Sequence, residues 1–265
     1  MKRLFLLSIL LLILPLVSAT VISLTTTVST DTMTENTTKI HVELLNSGDE
    51  SANNVQISLI SDFESNPIFV GTLMPNVPFE SDSNVSLKKD ISPGNYPLVV
   101  LVDYSDANGY PFSSVSPSSI VYKTPTVSKI SVAISELTLS GKQSKKLTIT
   151  VRNLDDVSHE LDVKLILPRE LKVVDGERTI LIQPKEEKEL NFDVSSFSAL
   201  AGSSYVILAS IEYEHEGLHY SSLGRGIIKI IEKSGIVELP SWLPVAVIVA
   251  LVAVFIYYQF RGKKK

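Results

Sequence analysis

The chain of 265 residues contains no cysteine. That excludes disulfides, thiolate metal sites, a cysteine nucleophile and a lipid-modified N-terminal cysteine. It also lacks a Gly-x-Ser-x-Gly elbow, a phosphate-binding P-loop and a dinucleotide loop. Serine and aspartate are plentiful, but no spacing singles out a triad. No long stretch outside the termini carries a 3.6-residue apolar period. Basic residues are the scarcer sign, 24 Lys+Arg against 29 Asp+Glu, for a net charge of −5. What is present is a globular composition, 44% hydrophobic and 20% charged, which excludes a wholly disordered chain. At about 100–200 residues per domain, the length allows one or two domains.

The two long apolar runs sit at the ends. Met1-Lys2-Arg3 is a short basic start, and residues 4–17 follow as an apolar run broken only by Ser8 and Pro15. Val17-Ser18-Ala19 then supplies small residues, completing the order of a secretory signal over residues 1–19. Cleavage is expected after Ala19, leaving Thr20 as the mature N-terminus. The second run, residues 243–260, carries no charge before Arg261. At about 1.5 Å per residue it matches the hydrocarbon thickness of a bilayer. Trp242 stands at one edge and Tyr257, Tyr258 and Phe260 at the other, as in an aromatic belt. Arg261, Lys263, Lys264 and Lys265 follow, and the positive-inside rule puts them in the cytoplasm. The expectation is a transmembrane helix over 242–260 and a basic cytoplasmic tail over 261–265. The protein is thus read as a single-pass type I protein of the cell membrane with its N-terminal body outside. Setting aside Lys2, Arg3 and the four basic tail residues leaves 18 basic against 29 acidic residues, a net of −11. An acidic body argues against nucleic acid as a partner.

Between the ends the signals are those of strands. Ile40, Val42 and Leu44 alternate with His41 and Glu43. The same alternation runs through Val55, Ile57 and Leu59, through Leu147, Ile149 and Val151, and through Leu190, Phe192 and Val194. Period two buries one face and leaves the other wet. The halves also repeat each other. IHVELLN at 40–46 aligns with LTITVRN at 147–153, and each ends in an asparagine that opens a polar turn. Leu73-Met74-Pro75 aligns with Ile182-Gln183-Pro184, and YPLVVLVDY at 96–104 with YVILASIEY at 205–213. The offset stays near 107–109, which marks two copies of one unit. A unit of that size with about seven short strands fits an immunoglobulin-like sandwich. The expected fold is all-β: one Ig-like β-sandwich over 20–125, a second over 126–234, and a linker over 235–241.

Three stretches carry a family resemblance: the polar turn Asn46-Ser47-Gly48-Asp49, then GTLMP at 71–75, then SPGNYPLVVLVDYSDANG at 92–109. They resemble CARDB/NEW3-like domains, which occur in tandem on archaeal and bacterial surface proteins and are linked to S-layers. The second copy departs from the pattern. Asn153-Leu154-Asp155 replaces the Asn-x-Gly turn, and Ala201-Gly202-Ser203-Ser204 stands where Pro93-Gly94 stood. The resemblance implies a non-catalytic protein that spaces, adheres, binds glycans or assembles with envelope partners.

Several constellations invite chemistry. His215-Glu216-Gly217-Leu218-His219 matches H-E-x-x-H, a zinc-protease signature that requires a helix. Here it falls between two strand patterns, where the first copy has Asp106-Ala107-Asn108-Gly109, so a hairpin turn is expected. Asp103, Asp106 and Asn108 lack the spacing of a Ca²⁺ loop and read as a turn. Asn36-Thr37-Thr38 and Asn84-Val85-Ser86 are glycosylation sequons. Tyr104, Tyr110 and Tyr220 stand near the matching hairpins, as contacts or as packing. We therefore expect no catalytic, cofactor or metal site and no enzyme. The expected role is a surface module, structural or adhesive, held to lipid by one helix and partnered by an envelope protein or glycan. The alternative is an accessory subunit of an envelope transporter or assembly complex, using Ala246, Ala250 and Ala253 as a small-residue helix face.

Overall fold

The computed structural model describes residues 21–88, 90–141, 143–232 and Ile248. The expected signal peptide with its cleavage at Ala19 lies outside the described residues. So do the 235–241 linker, Trp242, Tyr257, Tyr258, Arg261, Lys263 and the rest of the span and tail, Ile248 excepted. Among the described residues no helix is long and apolar enough to cross a membrane.

The architecture is all-β. The first half contains β1 (Leu24–Thr30), β2 (Thr37–Asn46), β3 (Ala52–Ile60), β4 (Phe63–Ser65), β5 (Ile68–Leu73), β6 (Phe79–Leu87), β7 (Gly94–Ser105) and β8 (Pro111–Tyr122). The second contains β9 (Ile130–Ile134), β10 (Leu137–Ser140), β11 (Ser144–Asn153), β12 (His159–Ile166), β13 (Leu171–Val174), β14 (Glu177–Ile182), β15 (Glu187–Ser196), β16 (Ser204–His215) and β17 (Leu218–Ile231).

Each half is an immunoglobulin-like sandwich of two sheets. In the first, β1-β2-β6-β4 faces a sheet in which β7 is flanked by β8 on one side and by β3 and then β5 on the other. In the second, β9-β11-β15-β13 faces β14-β12-β16-β17, with β10 added in parallel to β17. The inward alternation supplies the cores. Ile40, Val42, Leu44, Ile57, Leu98, Val100 and Val102 are buried in the first. Leu147, Ile149, Val151, Leu161, Phe192, Ile207 and Ile211 are buried in the second. Each fully buried aliphatic or aromatic side chain is worth about 1.5–3 kcal/mol.

The repeat is visible strand by strand. β2 matches β11, β3 matches β12, β5 matches β14 and β7 matches β16. Asn46 and Asn153, both 0% exposed, do the same work at the end of matching strands. Asn46 Nδ2 donates to Glu50 O (2.7 Å), and its Oδ1 accepts from Gly48 N (3.0 Å). Asn153 Nδ2 donates to Val157 O (2.8 Å) and Gln183 O (3.0 Å), and its Oδ1 accepts from Asp155 N (2.8 Å). One amide thus supplies the donors and acceptors that a buried turn lacks.

The expected period-two alternation is present in β2, β11 and β15 and at Val55 and Ile57 of β3, where Leu59 is only half-buried, whereas β7 and β16 show none. Leu98 to Val102 are all buried, and so are Ile207 to Ile211. Those strands are covered on both faces, and such strands read as unbroken apolar runs.

Candidate functional site

The second face of β7 and β16 is covered because the two sandwiches pack on one another. Val99 and Leu101 of β7, Val115 of β8 and Leu208 of β16 form a third apolar cluster. Ile60, Ile166, Val206 and Leu223 pack around it. The sheets also touch end to end through a single parallel bridge, His219 with Gly94. There His219 N donates to Pro93 O at 2.8 Å. A Cβ built on Gly94 would lie 2.0 Å from His219 O, so the approach requires glycine. Thr126, in the connection between the halves, donates through Oγ1 to His219 O (2.6 Å) and accepts from Asn95 N (3.0 Å).

A polar clamp closes one side of the joint. Glu170 is 2% exposed. Its carboxylate accepts from Ser113 N and Ser113 Oγ, both at 2.6 Å, and Arg169 N donates to Ser113 Oγ at 2.7 Å. Among the described residues no basic side chain forms an ion pair with Glu170, so these hydrogen bonds offset its desolvation. Beside it Arg169 Nη2 meets Asp103 Oδ2 at 2.7 Å. Burial raises the Asp103 pKa, and the Arg169 charge opposes the shift. Tyr110 Oη donates to Ser198 O at 2.5 Å. Burial also pushes the Tyr104 hydroxyl up to about 12.

On the other side the sandwiches leave a cleft of about 910 Å³. Seven carboxylates line it: Asp62 and Asp90 from the first half, and Glu160, Asp162, Glu177, Glu212 and Glu214 from the second. Lys164 and Arg178 are its only basic residues among those described, and both are engaged. Lys164 Nζ pairs with Glu177 Oε1 at 2.6 Å, and Arg178 lies over the Phe192 ring at 4.5 Å. Tyr96 and His219 stack in its wall, with centroids 3.9 Å apart and an interplanar angle of 3°. Tyr96 Oη donates to Ser92 O at 2.7 Å. Its pKa is raised by burial first, then by the charges of Glu214, Asp62 and Glu212. His219 Nε2 lies 3.3 Å from Glu212 Oε2, within ion-pair range but without the alignment of a hydrogen bond. The cleft carries a negative field suited to positively charged groups. Among the described residues no three His, Asp or Glu side chains converge as a metal cage.

The H-E-x-x-H stretch forms the β16–β17 hairpin. Glu216 (φ 50°) and Gly217 (φ 73°) are both left-handed, as a type I′ turn requires. His215 pairs with Leu218 and Glu214 with His219, so the two histidines face opposite sides of the sheet. His215 meets the His159 ring edge-on at 5.1 Å, inside the second sandwich, whereas His219 stacks on Tyr96 of the first. A zinc-protease motif needs both on one helix face. In the matching turn of the first half, Asp106 Oδ1 accepts from Asn108 N (2.9 Å) and Tyr110 N (2.8 Å), while Asp103 is drawn to Arg169. The three tyrosines pack rather than protrude. Tyr104 stacks on Phe112 at 5.5 Å, Tyr110 leans on Phe112 at 5.2 Å and Tyr220 stacks on Tyr213 at 5.1 Å. Asn36 and Asn84 are exposed, one just before β2 and the other on its partner β6.

Sequence reasoning missed the joint. Glu170, Ser113 and the cleft carboxylates follow from a packing of one repeat on the other that no local period encodes. Two signals were there to find: the unbroken runs in β7 and β16, and the Pro93-Gly94 pair that one repeat has and the other lacks.

No protein-family model and no curated protein sequence matches the chain. Among solved structures, a Porphyromonas gingivalis protein of unknown function is 15% identical, with a TM-score of 0.34. The match covers 77% of this chain and 99% of that one. Salmonella alpha-2-macroglobulin reacted with methylamine is 14% identical over 79% of this chain, with a TM-score of 0.35. Native E. coli alpha-2-macroglobulin is 11% identical over 78%, with a TM-score of 0.33. The chain spans only 16% and 17% of the length of those two macroglobulins.

Proposed function

We propose that the chain is a non-catalytic surface protein of an archaeal or bacterial envelope, anchored by one C-terminal transmembrane helix with its body outside. Its two sandwiches serve as one stiff structural and adhesive module, of the kind the CARDB/NEW3-like resemblance implies. The secretory start, the apolar run with its basic end and the acidic body support the location. The observation that carries the role is the joint. Burial of both faces of β7 and β16 gives the two sandwiches a common apolar cluster and a buried clamp, Glu170 on Ser113. That is how a spacer or docking platform resists flexing between its parts. The separated faces of His215 and His219 favour this role over hydrolysis. The partner is an envelope protein or glycan, and Asn36 and Asn84 are exposed acceptors for glycosylation. In-situ crosslinking in native membranes, with mass spectrometry of the products, tests the reading. Crosslinks from the sandwiches to lattice or wall components are expected. Crosslinks confined to one polytopic membrane protein through the anchor would overturn it in favour of an accessory subunit. Intact mass of the native protein reads the glycans directly.

A further inference from the structure

The duplicated halves offer an internal control for an exposed sheet edge. β5 and β14 are matching edge strands, each paired on one side only, β5 with β3 and β14 with β12. Edge strands invite intermolecular pairing unless charge, proline or cover discourages it. β14 is guarded. Residues 174–188 hold seven charged residues, Lys164 pairs with Glu177, and Lys188 Nζ donates to Leu181 O. β5 is not: residues 65–79 hold no charge at all. Within IFVGTL there is no proline, and Phe69 is 76% exposed. Met74 (60%) and Val77 (52%) extend the apolar strip beyond the strand. The other uncharged edges have neighbours. β8 contains Pro117 and is covered by Met33, whose N donates to Val121 O at 2.8 Å. β1 is tied to β8 by Thr30 Oγ1 donating to Ser119 O at 3.1 Å, and β9 is tied to β17 by Ser222 Oγ donating to Ile130 O at 2.6 Å.

We propose that β5 is a strand-addition edge and that its occupant is β5 of a second copy, paired antiparallel about Val70. Two copies of a net-acidic body meet here along a strip without like-charge opposition. Antiparallel pairing about Val70 sets each Phe69 opposite Gly71 of the other copy. Among the described residues nothing lies within 4 Å of a Cβ built on Gly71, so the ring has room. An aromatic ring covering an edge glycine is a favourable cross-strand pair. The contact is isologous and closes as a dimer. The β3–β5 register shift at Val55, opposite Gly71, twists the edge, so the paired segment is short and the dimer weak. The inference stands apart from the anchored-module reading, because it concerns only an edge and its mate.

The test is light scattering of the full-length purified protein, with protein mass separated from that of any bound detergent. A concentration-dependent dimer is expected. Phe69→Lys, which takes the ring off Gly71 and sets the two lysines diagonally across the pair, and Thr72→Lys, which puts a lysine against Ile68 at each end of the strip, are both at exposed positions and raise its dissociation constant at least about tenfold. Their melting temperatures stay at the wild-type value, which separates lost pairing from lost folding. Leu181→Lys on β14 leaves the dimer unchanged. A protein that stays monomeric up to about 100 μM overturns the proposal, as does a dimer that both β5 variants leave intact. Occupation of β5 by a different chain in the crosslinking experiment also overturns it.

Discussion

The two sandwiches keep what a single domain needs and differ where each meets the other or the outside. Kept are the buried Asn46 and Asn153, the tyrosines Tyr96 and Tyr205, and the left-handed residues Asn76 and Lys185 (both φ 58°) after matching prolines. Each serves its own fold. The differences lie elsewhere. Pro93-Gly94 exists only in the first copy because only there does another backbone, at His219, press against the strand. Ser203, which stands in the place of Gly94, accepts from Ile230 N through its carbonyl (2.9 Å), a bond to the last strand of its own sandwich. The lesson is that a duplicated pair separates intrinsic constraints from acquired ones. A feature present in both copies is explained within the sandwich, and a feature present in one calls for a partner.

Four pairs of substitutions sharpen or break that comparison. The largest effect is expected from Leu208→Asp, which puts a charge in the third cluster at a position 0% exposed. It should cost roughly 3–5 kcal/mol and open the 123–129 connection to protease. Ile227→Asp, 40% exposed, should stay within about 1 kcal/mol. Limited proteolysis with denaturant titration reads both, and equal sensitivity would mean that the halves are only strung together. Next come Asn46→Ala and Asn153→Ala, each leaving buried backbone groups unpaired at about 2–4 kcal/mol. Their equilibrium unfolding losses should agree, and a clear inequality would break the equivalence of the two turns. Gly94→Ala should cost about 1–3 kcal/mol because its Cβ meets His219 O, while Ser203→Ala stays within about 0.5 kcal/mol. The smallest effect is a pH dependence that belongs to one turn alone. The hydrogen bond from Lys129, with those from the Asp156 N–H and His159, holds the Asp155 carboxyl well below the usual carboxylate range. A depressed value means stabilisation that is complete above the ordinary carboxylate pKa and lost as pH falls through the folded-state value. Asp155→Asn should therefore melt below wild type at neutral pH and converge with it in acid. Ser47→Asn, in the corresponding turn of the first copy, should show no such pH trend.

Much of the fold was legible from local rules. Alternation in β2, β3, β11 and β15 was enough because one face of each is wetter than the other. The repeat offset located matching strands without any contact being known. The turn at Glu216-Gly217 was readable because its neighbours alternate and the first copy has a turn there. The candidate site was not legible, for a physical reason. Asp62, Glu160 and Glu214 are far apart in the chain, and only the docking of one outer sheet face on another gathers them around one cleft. Such docking leaves a trace only in the second face of β7 and β16, where a period of two stops being a period at all.

The parallel pairing of β10 with β17 bears on how the chain responds to being pulled. Leu137 to Ser140 run alongside Ile228 to Ile231, four residues in register. Tension applied between the start of the second sandwich and Glu232 drags these neighbours in opposite directions along their own length. Their hydrogen bonds then carry load in shear and yield together, whereas a hairpin opened from its end would unzip one bond after another. Among the described residues, the first sandwich joins its opening segment to its last strand by one parallel bridge, Met33 with Tyr122. A stretched molecule should therefore give way first at the half farther from its C-terminus, with the half nearer to it holding to higher force.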